Sequence, residues 1–122
     1  MRILLVDDSN TMRKIEKRVL VKMGHEDVIE AEDGKIALQK LAEYNYDISL
    51  VLLDITMPNM SGIETLKKIR SNPASQKIPV MMCTSISGQE EVMEAISAGA
   101  NNYVVKPFKT DELSEKINAI LG

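Results

Sequence analysis

The chain has 122 residues, the length of one ordinary domain, so a single domain over residues 1–122 is expected. Its 15 lysines and arginines against 18 aspartates and glutamates give a net charge of −3, which disfavours a direct nucleic-acid partner. A single cysteine excludes an intramolecular disulfide, and no segment resembles a signal peptide or a membrane span. These features predict a cytoplasmic protein without membrane insertion.

Apolar runs alternate with amphipathic helical patterns five times along the chain. The apolar runs predict strands at residues 3–6, 28–31, 48–53, 79–83 and 103–105. The runs are continuous rather than alternating, which is typical of a parallel sheet covered on both faces. Helical spacing of apolar residues predicts helices at residues 10–23, 34–44, 62–71, 88–98 and 110–121. The order predicts an α/β fold of five strand–helix units.

Helix faces and helix ends can also be read from the pattern. The first helix should bury a stripe of Met12, Ile15, Val19 and Met23, and the fourth should bury Val92 and Ile96.

The residues from Ser61 to Glu64 and from Ser87 to Glu90 both fit the capping box that starts a helix. Gly24 and Gly99 stand where the first and fourth helices should end, in a position that favours left-handed backbone.

The unusual polar residues stand at the ends of the predicted strands. They are Asp7 and Asp8 after the first, Asp54 after the third, Thr84 after the fourth and Lys106 after the fifth. In an open parallel sheet the carboxyl ends of the strands form one edge, where ligands bind. Glu32 and Asp33 end the second strand, which lies at the sheet margin in the commonest order. Each of the five residues that follow the first, third, fourth and fifth strands could alone be a cap or a turn residue, but together these five indicate a site.

If the first and third strands are neighbours, Asp7, Asp8 and Asp54 form a pocket of three carboxylates whose repulsion a hard divalent cation would relieve. An open pocket of oxygen ligands suits Mg²⁺ better than a closed Ca²⁺ cage. Lys106 would add a positive charge and Thr84 a hydroxyl. This set fits a phosphoryl group, with one carboxylate free to attack it.

With those residues placed, the sequence resembles the receiver domain of two-component response regulators, most closely the single-domain, CheY-like chemotaxis regulators. The resemblance covers essentially the whole chain. Its most specific segments are VDDSNTMRKI (6–15), VIEAEDGKIALQKL (28–41), LLDITMPNMSGIE (52–64), TS (84–85) and YVVKPF (103–108). It implies a flavodoxin-like, doubly wound sheet in the order 2-1-3-4-5, and a single receiver domain with no output domain visible.

The resemblance implies that Asp54 accepts the phosphoryl group. Mg²⁺ would be held by Asp8, Asp54 and the backbone carbonyl of Thr56, with Asp7 assisting through a metal-bound water.

The resemblance also implies a switch. Thr84 would hydrogen-bond the phosphoryl oxygen and Lys106 would pair with it, and a shift of Thr84 would make room for the ring of Tyr103 to turn inward. The peptide between Lys106 and Pro107 is usually cis in this family.

Such domains take the phosphoryl group from a partner histidine kinase or phosphotransfer protein and catalyse only their own phosphorylation and dephosphorylation. The downstream target would bind the face formed by the fourth helix, fifth strand and fifth helix, and a flagellar motor switch component is one candidate. A monomer is expected.

Three alternatives stay open. One is a receiver from another two-component pathway or a phosphorelay. Another is a Mg²⁺-dependent phosphohydrolase with an aspartyl nucleophile, but those enzymes carry a second acid where Thr56 stands. The third is a flavodoxin-like flavin carrier, for which the chain lacks stacking aromatics and a hydroxyl-rich phosphate loop.

Two positions depart from the usual pattern or vary within it. The spacing from Asp47 to Asp54 is long and Ser49 interrupts an apolar run, so an extended or bulged entry to the third strand is expected. Bulky Ile86 is expected to shield the phosphoryl group from water and to slow its hydrolysis.

Overall fold

The computed structural model describes residues 1–85 and 89–121, apart from the side chain of Gln89, as strands and helices in strict alternation. The strands are β1 (Arg2–Val6), β2 (Asp27–Ala31), β3 (Leu50–Leu53), β4 (Val80–Thr84) and β5 (Asn102–Val105). The helices are α1 (Asn10–Lys22), α2 (Gly34–Glu43), α3 (Gly62–Ser71), α4 (Gln89–Ser97) and α5 (Thr110–Leu121). Each matches a predicted element to within two residues at either end. Ile86 and the residues from Ser87 to Gln89 of the second capping box lie outside what the structure describes in full.

The five strands form one parallel sheet in the order β2-β1-β3-β4-β5, which confirms the fold class. The chain winds outward from β1 to β2 and then returns to pair β3 on the other side of β1. Val6 pairs with Leu53 at the ends of β1 and β3. The amide of Asp54 continues this ladder by donating to the carbonyl of Val6 at 3.0 Å. The residues that follow β1 and β3 therefore begin at the same level of the sheet edge.

Alternate strand residues pack on opposite faces of the sheet. Leu4, Val6, Val51, Leu53, Val80 and Met82 belong to the core beneath α2, α3 and α4. Ile3, Leu5, Leu50, Leu52, Met81 and Cys83 belong to the core beneath α1 and α5. None of these side chains is more than 1% exposed. Coverage on both faces explains why the strands read as continuous apolar runs.

The entry to β3 differs from the prediction of a longer or bulged strand. The strand begins at Leu50, although the amide of Ser49 already donates to the carbonyl of Arg2 at 2.8 Å. The preceding turn contains two residues in the left-handed region, Asn45 (φ 54°) and Tyr46 (φ 60°). The extra residues therefore form the turn after α2, and Ile48 is buried without joining the strand.

The helix ends follow the sequence signals. Gly24 (φ 93°) and Gly99 (φ 107°) are left-handed after α1 and α4, as predicted. The hydroxyl of Ser61 accepts from the amide of Glu64 at 3.2 Å, which confirms the start of α3. The hydroxyl of Ser9 caps α1 in the same way.

The predicted buried stripes of α1 and α4 were wrong in part. Ile15 is 42% exposed, and the buried face of α1 includes Arg13 and Glu16 instead. Burial of Arg13 is possible because its guanidinium donates to the carboxylate of Glu30 and to the carbonyl of Asp7. Ile96 is 47% exposed because α4 packs on the sheet through Ala95.

Among the residues that the structure describes, no helix is long and apolar enough to cross a membrane.

Candidate functional site

The predicted carboxylates meet at the carboxyl edge of the sheet. Asp7, Asp8 and Asp54 each place one carboxylate oxygen within 4.8 Å of the others, and the structure shows no second such cluster within residues 1–85 and 89–121. Asp7 and Asp54 are 1% and 6% exposed, whereas Asp8 faces solvent. The cluster is therefore a pocket with a buried floor and one open side.

The geometry of this pocket follows from its strands. Asp7 and Asp54 directly follow the paired ends of β1 and β3, so the backbone hydrogen bonds of the sheet fix the positions of their Cα atoms. The carboxylate of Asp7 also accepts from the amide of Ser9 at 2.9 Å. The loop after Asp54 folds back tightly, since a Cβ added to Gly62 would lie 2.0 Å from the carbonyl oxygen of Asp54.

Lys106 is the one cation in the described part of the chain that pairs with the carboxylates of the pocket. Its Nζ donates to Oδ2 of Asp7 at 2.6 Å and lies 3.6 Å from Oδ2 of Asp54. The amide of Lys106 donates to the carbonyl of Thr84 at 2.7 Å, so β4 and β5 deliver both residues to the same edge. Thr84 is fully buried. The peptide between Lys106 and Pro107 is cis, as predicted.

The structure leaves two predicted residues outside the carboxylate cluster. Thr56 lies on the exposed loop after Asp54. Tyr103 is half-buried on β5 against the core beneath α2, α3 and α4. Nζ of Lys116 lies 5.0 Å from the centre of the Tyr103 ring and donates to the Tyr103 carbonyl at 2.6 Å.

Burial and like charge change the acidity of the pocket. Burial raises the pKa of Asp54 from 3.8 to about 6; Lys106 opposes this shift, and the charges of Asp7 and Asp8 add to it. For Lys106, burial alone would lower the pKa, but the hydrogen bond to Asp7 and the charges of Asp54 and Asp7 outweigh it and raise the pKa. Asp54 is thus mostly a carboxylate at neutral pH, and Lys106 is charged.

The donor set fits a small divalent cation. Three carboxylates and one ammonium leave two negative charges uncompensated in a partly buried pocket, and carboxylate oxygens are the ligands that Mg²⁺ prefers. The open side at Asp8 leaves room for the waters that Mg²⁺ usually retains.

Two buried acids that were not predicted as site residues interact with the pocket or with the loop that follows Asp54. Glu16 is 2% exposed, and its Oε1 has no hydrogen-bond partner in the described residues. Burial, and next the charge of Asp7, raises its pKa from 4.5 to about 8. Asp33 is also buried and contacts the loop after Asp54 through Asn59. The one available signal for Asp33 is its place at a strand end.

The single cysteine, Cys83, lies in β4. It is buried in the core, and burial, together with the neighbouring Glu16, raises the pKa of its thiol. It is therefore a core residue and not a thiolate nucleophile.

Comparison with known proteins agrees with this geometry. The family model of the response regulator receiver domain matches residues 3–118, so the chain belongs to that family. Within the family it is a CheY-like receiver domain. It is 46% identical over 122 residues to chemotaxis protein CheY1 of Helicobacter pylori, covering 100% of this chain and 98% of that protein. It is 47% identical over 121 residues to chemotaxis protein CheY of Bacillus subtilis, covering 99% of this chain and 98% of that protein.

A solved structure shows the same architecture. A chain of the CheX-CheY-BeF₃-Mg²⁺ complex from Borrelia burgdorferi superposes with a TM-score of 0.93 and 27% identity, covering 100% of this chain and 90% of that one. The flavodoxin-like receiver fold predicted from the sequence is thereby confirmed.

Proposed function

We propose that this protein is a phosphorylation-activated signalling switch of the chemotaxis type, which accepts a phosphoryl group on Asp54 in a Mg²⁺-dependent reaction. The observation that carries the proposal is the position of Asp54, whose carboxylate forms the pocket with Asp7 and Asp8 and lies 3.6 Å from the Lys106 ammonium. A nucleophile and the charges that would neutralise an incoming phosphoryl group occupy one pocket.

Different residues around Asp54 would bind the cation and the phosphoryl group. Asp8, Asp54 and the backbone carbonyl of Thr56 would hold Mg²⁺, and Asp7 would assist through a bound water. When bound, the cation supplies positive charge that offsets the three carboxylates and the phosphoryl oxygens. Lys106, now paired with Asp7, would turn toward the phosphoryl oxygens, and the Thr84 hydroxyl would donate to one of them.

With the cation in place, the transfer joins a nucleophile on this chain to a phosphoryl donor on another protein. A carboxylate oxygen of Asp54 attacks phosphorus in a phosphohistidine of a partner histidine kinase or phosphotransfer protein. The new P–O bond forms as the P–N bond breaks, and the imidazole leaves with the electron pair and takes a proton from solvent. In hydrolysis, water attacks phosphorus as the bond to Asp54 breaks, which releases inorganic phosphate and returns Asp54 to its carboxylate form. The protein thus catalyses only its own phosphorylation and dephosphorylation.

Phosphorylation would change the face formed by α4, β5 and α5. A shift of Thr84 toward the phosphoryl group would make room for the half-buried Tyr103 ring to turn inward, which tips a balance between two states of similar energy. A downstream protein would bind the altered face. A flagellar motor switch component is one candidate, and the CheX in the Borrelia burgdorferi complex suggests a second kind of partner. We place the protein in the cytoplasm as a monomer, with no nucleic-acid or membrane partner.

The test is incubation with acetyl phosphate and Mg²⁺, followed by intact-mass analysis before and after hydroxylamine. The proposal predicts one phosphoryl adduct that hydroxylamine removes, that chelation of Mg²⁺ prevents, and that Asp54→Asn abolishes. The matched control is Asp47→Asn, which changes an exposed aspartate that precedes β3 at its other end. An undiminished adduct in Asp54→Asn would refute the proposal, and turnover of many external phosphate esters would favour a phosphohydrolase.

A further inference from the structure

Asp33 joins two segments of the chain through one carboxylate. It follows β2 and caps α2, with Oδ1 accepting from the amide of Ile36 at 2.9 Å. Its other oxygen, Oδ2, accepts from Nδ2 of Asn59 at 3.0 Å. The hydrogen bonds from Ile36 and next from Asn59 lower the pKa of Asp33, so its carboxylate remains an ionised acceptor at neutral pH. We call the hydrogen bond between Asp33 and Asn59 the latch.

Asn59 lies in the loop that connects the phosphoryl-acceptor position to α3. This loop runs from Ile55 to Ser61 and contains Thr56. Asn59 has left-handed backbone, with φ 67°. Within the loop, the amide of Met60 donates to Pro58 at 2.7 Å, and the amide of Gly62 donates to Ile55 at 2.8 Å. Two backbone hydrogen bonds therefore hold the loop in a compact conformation, and the latch connects the loop to the start of α2.

The start of α2 is a rigid anchor for that tie. A Cβ added to Gly34 would lie 2.0 Å from Oγ1 of Thr65 and 3.1 Å from the sulfur of Met60. Thr65 is fully buried, and its hydroxyl donates to the carbonyl of Ser61 at 2.8 Å. The first turn of α2 thus packs directly on α3 and on the end of the loop, with no space for a side chain between them.

We propose that the latch positions the loop so that the Thr56 carbonyl and Asp54 present oxygens to one cation. Asp33 is in this view a positioning residue that acts through Asn59, although it stands at the margin of the sheet and contributes no ligand. The inference rests on the proposed function, because it concerns the Mg²⁺ of that same pocket. Groups that orient metal ligands from behind are typically worth a factor of ten or more in affinity.

Two substitutions break the latch while sparing its surroundings. Asp33→Ser keeps a good helix cap but is too short to reach Asn59. Asn59→Gly is compatible with the left-handed backbone but removes the side-chain amide that donates to Asp33. By isothermal titration calorimetry with MgCl₂ alone, each variant should bind Mg²⁺ about tenfold more weakly than the wild type. The double variant should be no weaker than either single one, because both remove the same bond.

The matched control is Asn72→Ala at the opposite edge of the sheet. Like Asp33, Asn72 makes one local and one distant side-chain hydrogen bond. Its Oδ1 accepts from the amide of Ala74 at 3.0 Å, and its Nδ2 donates to the Tyr46 hydroxyl at 3.3 Å. This variant should leave Mg²⁺ affinity unchanged.

Amide hydrogen exchange of the metal-free protein gives a readout that does not depend on Mg²⁺. In both latch variants the amides of Met60 and Gly62 should exchange faster, while those of β1 and β3 keep wild-type protection. Unchanged Mg²⁺ affinity in the variants, additive losses in the double variant, or faster exchange throughout the molecule would overturn the inference. If the wild type itself bound no Mg²⁺, the proposed function would fail, which is a different result from equal binding by all variants.

Discussion

Lys106 hydrogen-bonds to Asp7 and makes only a longer ion pair with Asp54, the proposed phosphoryl acceptor. Its Nζ lies 2.6 Å from Oδ2 of Asp7 and 3.6 Å from Oδ2 of Asp54. Asp7 is 1% exposed, so its charge needs a partner inside the protein. In the metal-free protein Lys106 therefore supplies part of the positive charge that a cation would otherwise supply.

Lys106→Met should lower the stability of the metal-free protein. Without the ammonium, two buried carboxylates face each other unpaired, so the metal-free protein should lose about 3 kcal/mol of unfolding free energy in urea. Addition of Mg²⁺ should then stabilise the variant more than the wild type. The matched control is Lys109→Met, because Lys109 is exposed three residues further on. Equal metal-free stability of Lys106→Met and the wild type would contradict this role.

Glu16 should make the stability depend on pH. Burial, followed by the charge of Asp7, raises its pKa from 4.5 to about 8 in the folded protein. The unfolded chain therefore releases this proton first, and stability falls as pH rises from about 4.5 to about 8. Because Glu16→Gln cannot ionise, its free energy of unfolding should exceed that of the wild type by more than about 2 kcal/mol at pH 9, with little difference at pH 5.

Urea unfolding at both pH values would measure this effect. Glu115→Gln on the exposed face of α5 is the control and should follow the wild-type curve. A constant difference between Glu16→Gln and the wild type across the range would show that ionisation of Glu16 is not the cause.

The switch should be visible at Tyr103. The protein has three tyrosines, so fluorotyrosine labelling gives three ¹⁹F resonances, with those of Tyr44 and Tyr46 as internal references. Mg²⁺ and beryllofluoride together should shift the Tyr103 resonance and leave the references in place. Thr84→Ala should remove the shift, since no hydroxyl would then move toward the phosphoryl mimic. A Tyr103 resonance that stays fixed in the wild type would rule out the inward turn.

Gly62 should tolerate no side chain. A Cβ there would lie 2.0 Å from the Asp54 carbonyl oxygen, so Gly62→Ala must displace backbone and should cost about 3 kcal/mol or more. Gly24→Ala is the comparison, because Gly24 has φ 93° but open space around it, and should cost about 1–2 kcal/mol from backbone strain alone. Urea unfolding measures both variants. Equal losses would show that the close approach at Gly62 carries no penalty of its own.

The sequence was sufficient to predict the strands and the acids at their ends, because a strand buried on both faces leaves a continuous apolar run. The order of the strands in the sheet could not be predicted in this way, because an apolar run does not indicate which strand pairs with β1. That order was predicted from the family resemblance. The site could then be placed because Asp7 and Asp54 each follow a strand directly.

What escaped prediction depends on side-chain contacts between distant segments. Helical periodicity assigned Ile15 to the core of α1, but the buried face includes Arg13 and Glu16, whose charges the pattern counts as solvent-facing. Asp33 was set aside at the sheet margin because a sequence does not reveal that left-handed Asn59 reaches it.

Asp54 alone should carry the phosphoryl group. Borohydride reduces an aspartyl phosphate to homoserine, so treatment after incubation with acetyl phosphate and Mg²⁺ marks the modified position permanently. Tandem mass spectrometry of the peptides should find homoserine at position 54 and nowhere else, and should find none when Mg²⁺ is chelated. Homoserine at position 7 or 8 would show that another aspartate accepts the phosphoryl group, and homoserine at position 54 after chelation would show that the reaction does not need Mg²⁺.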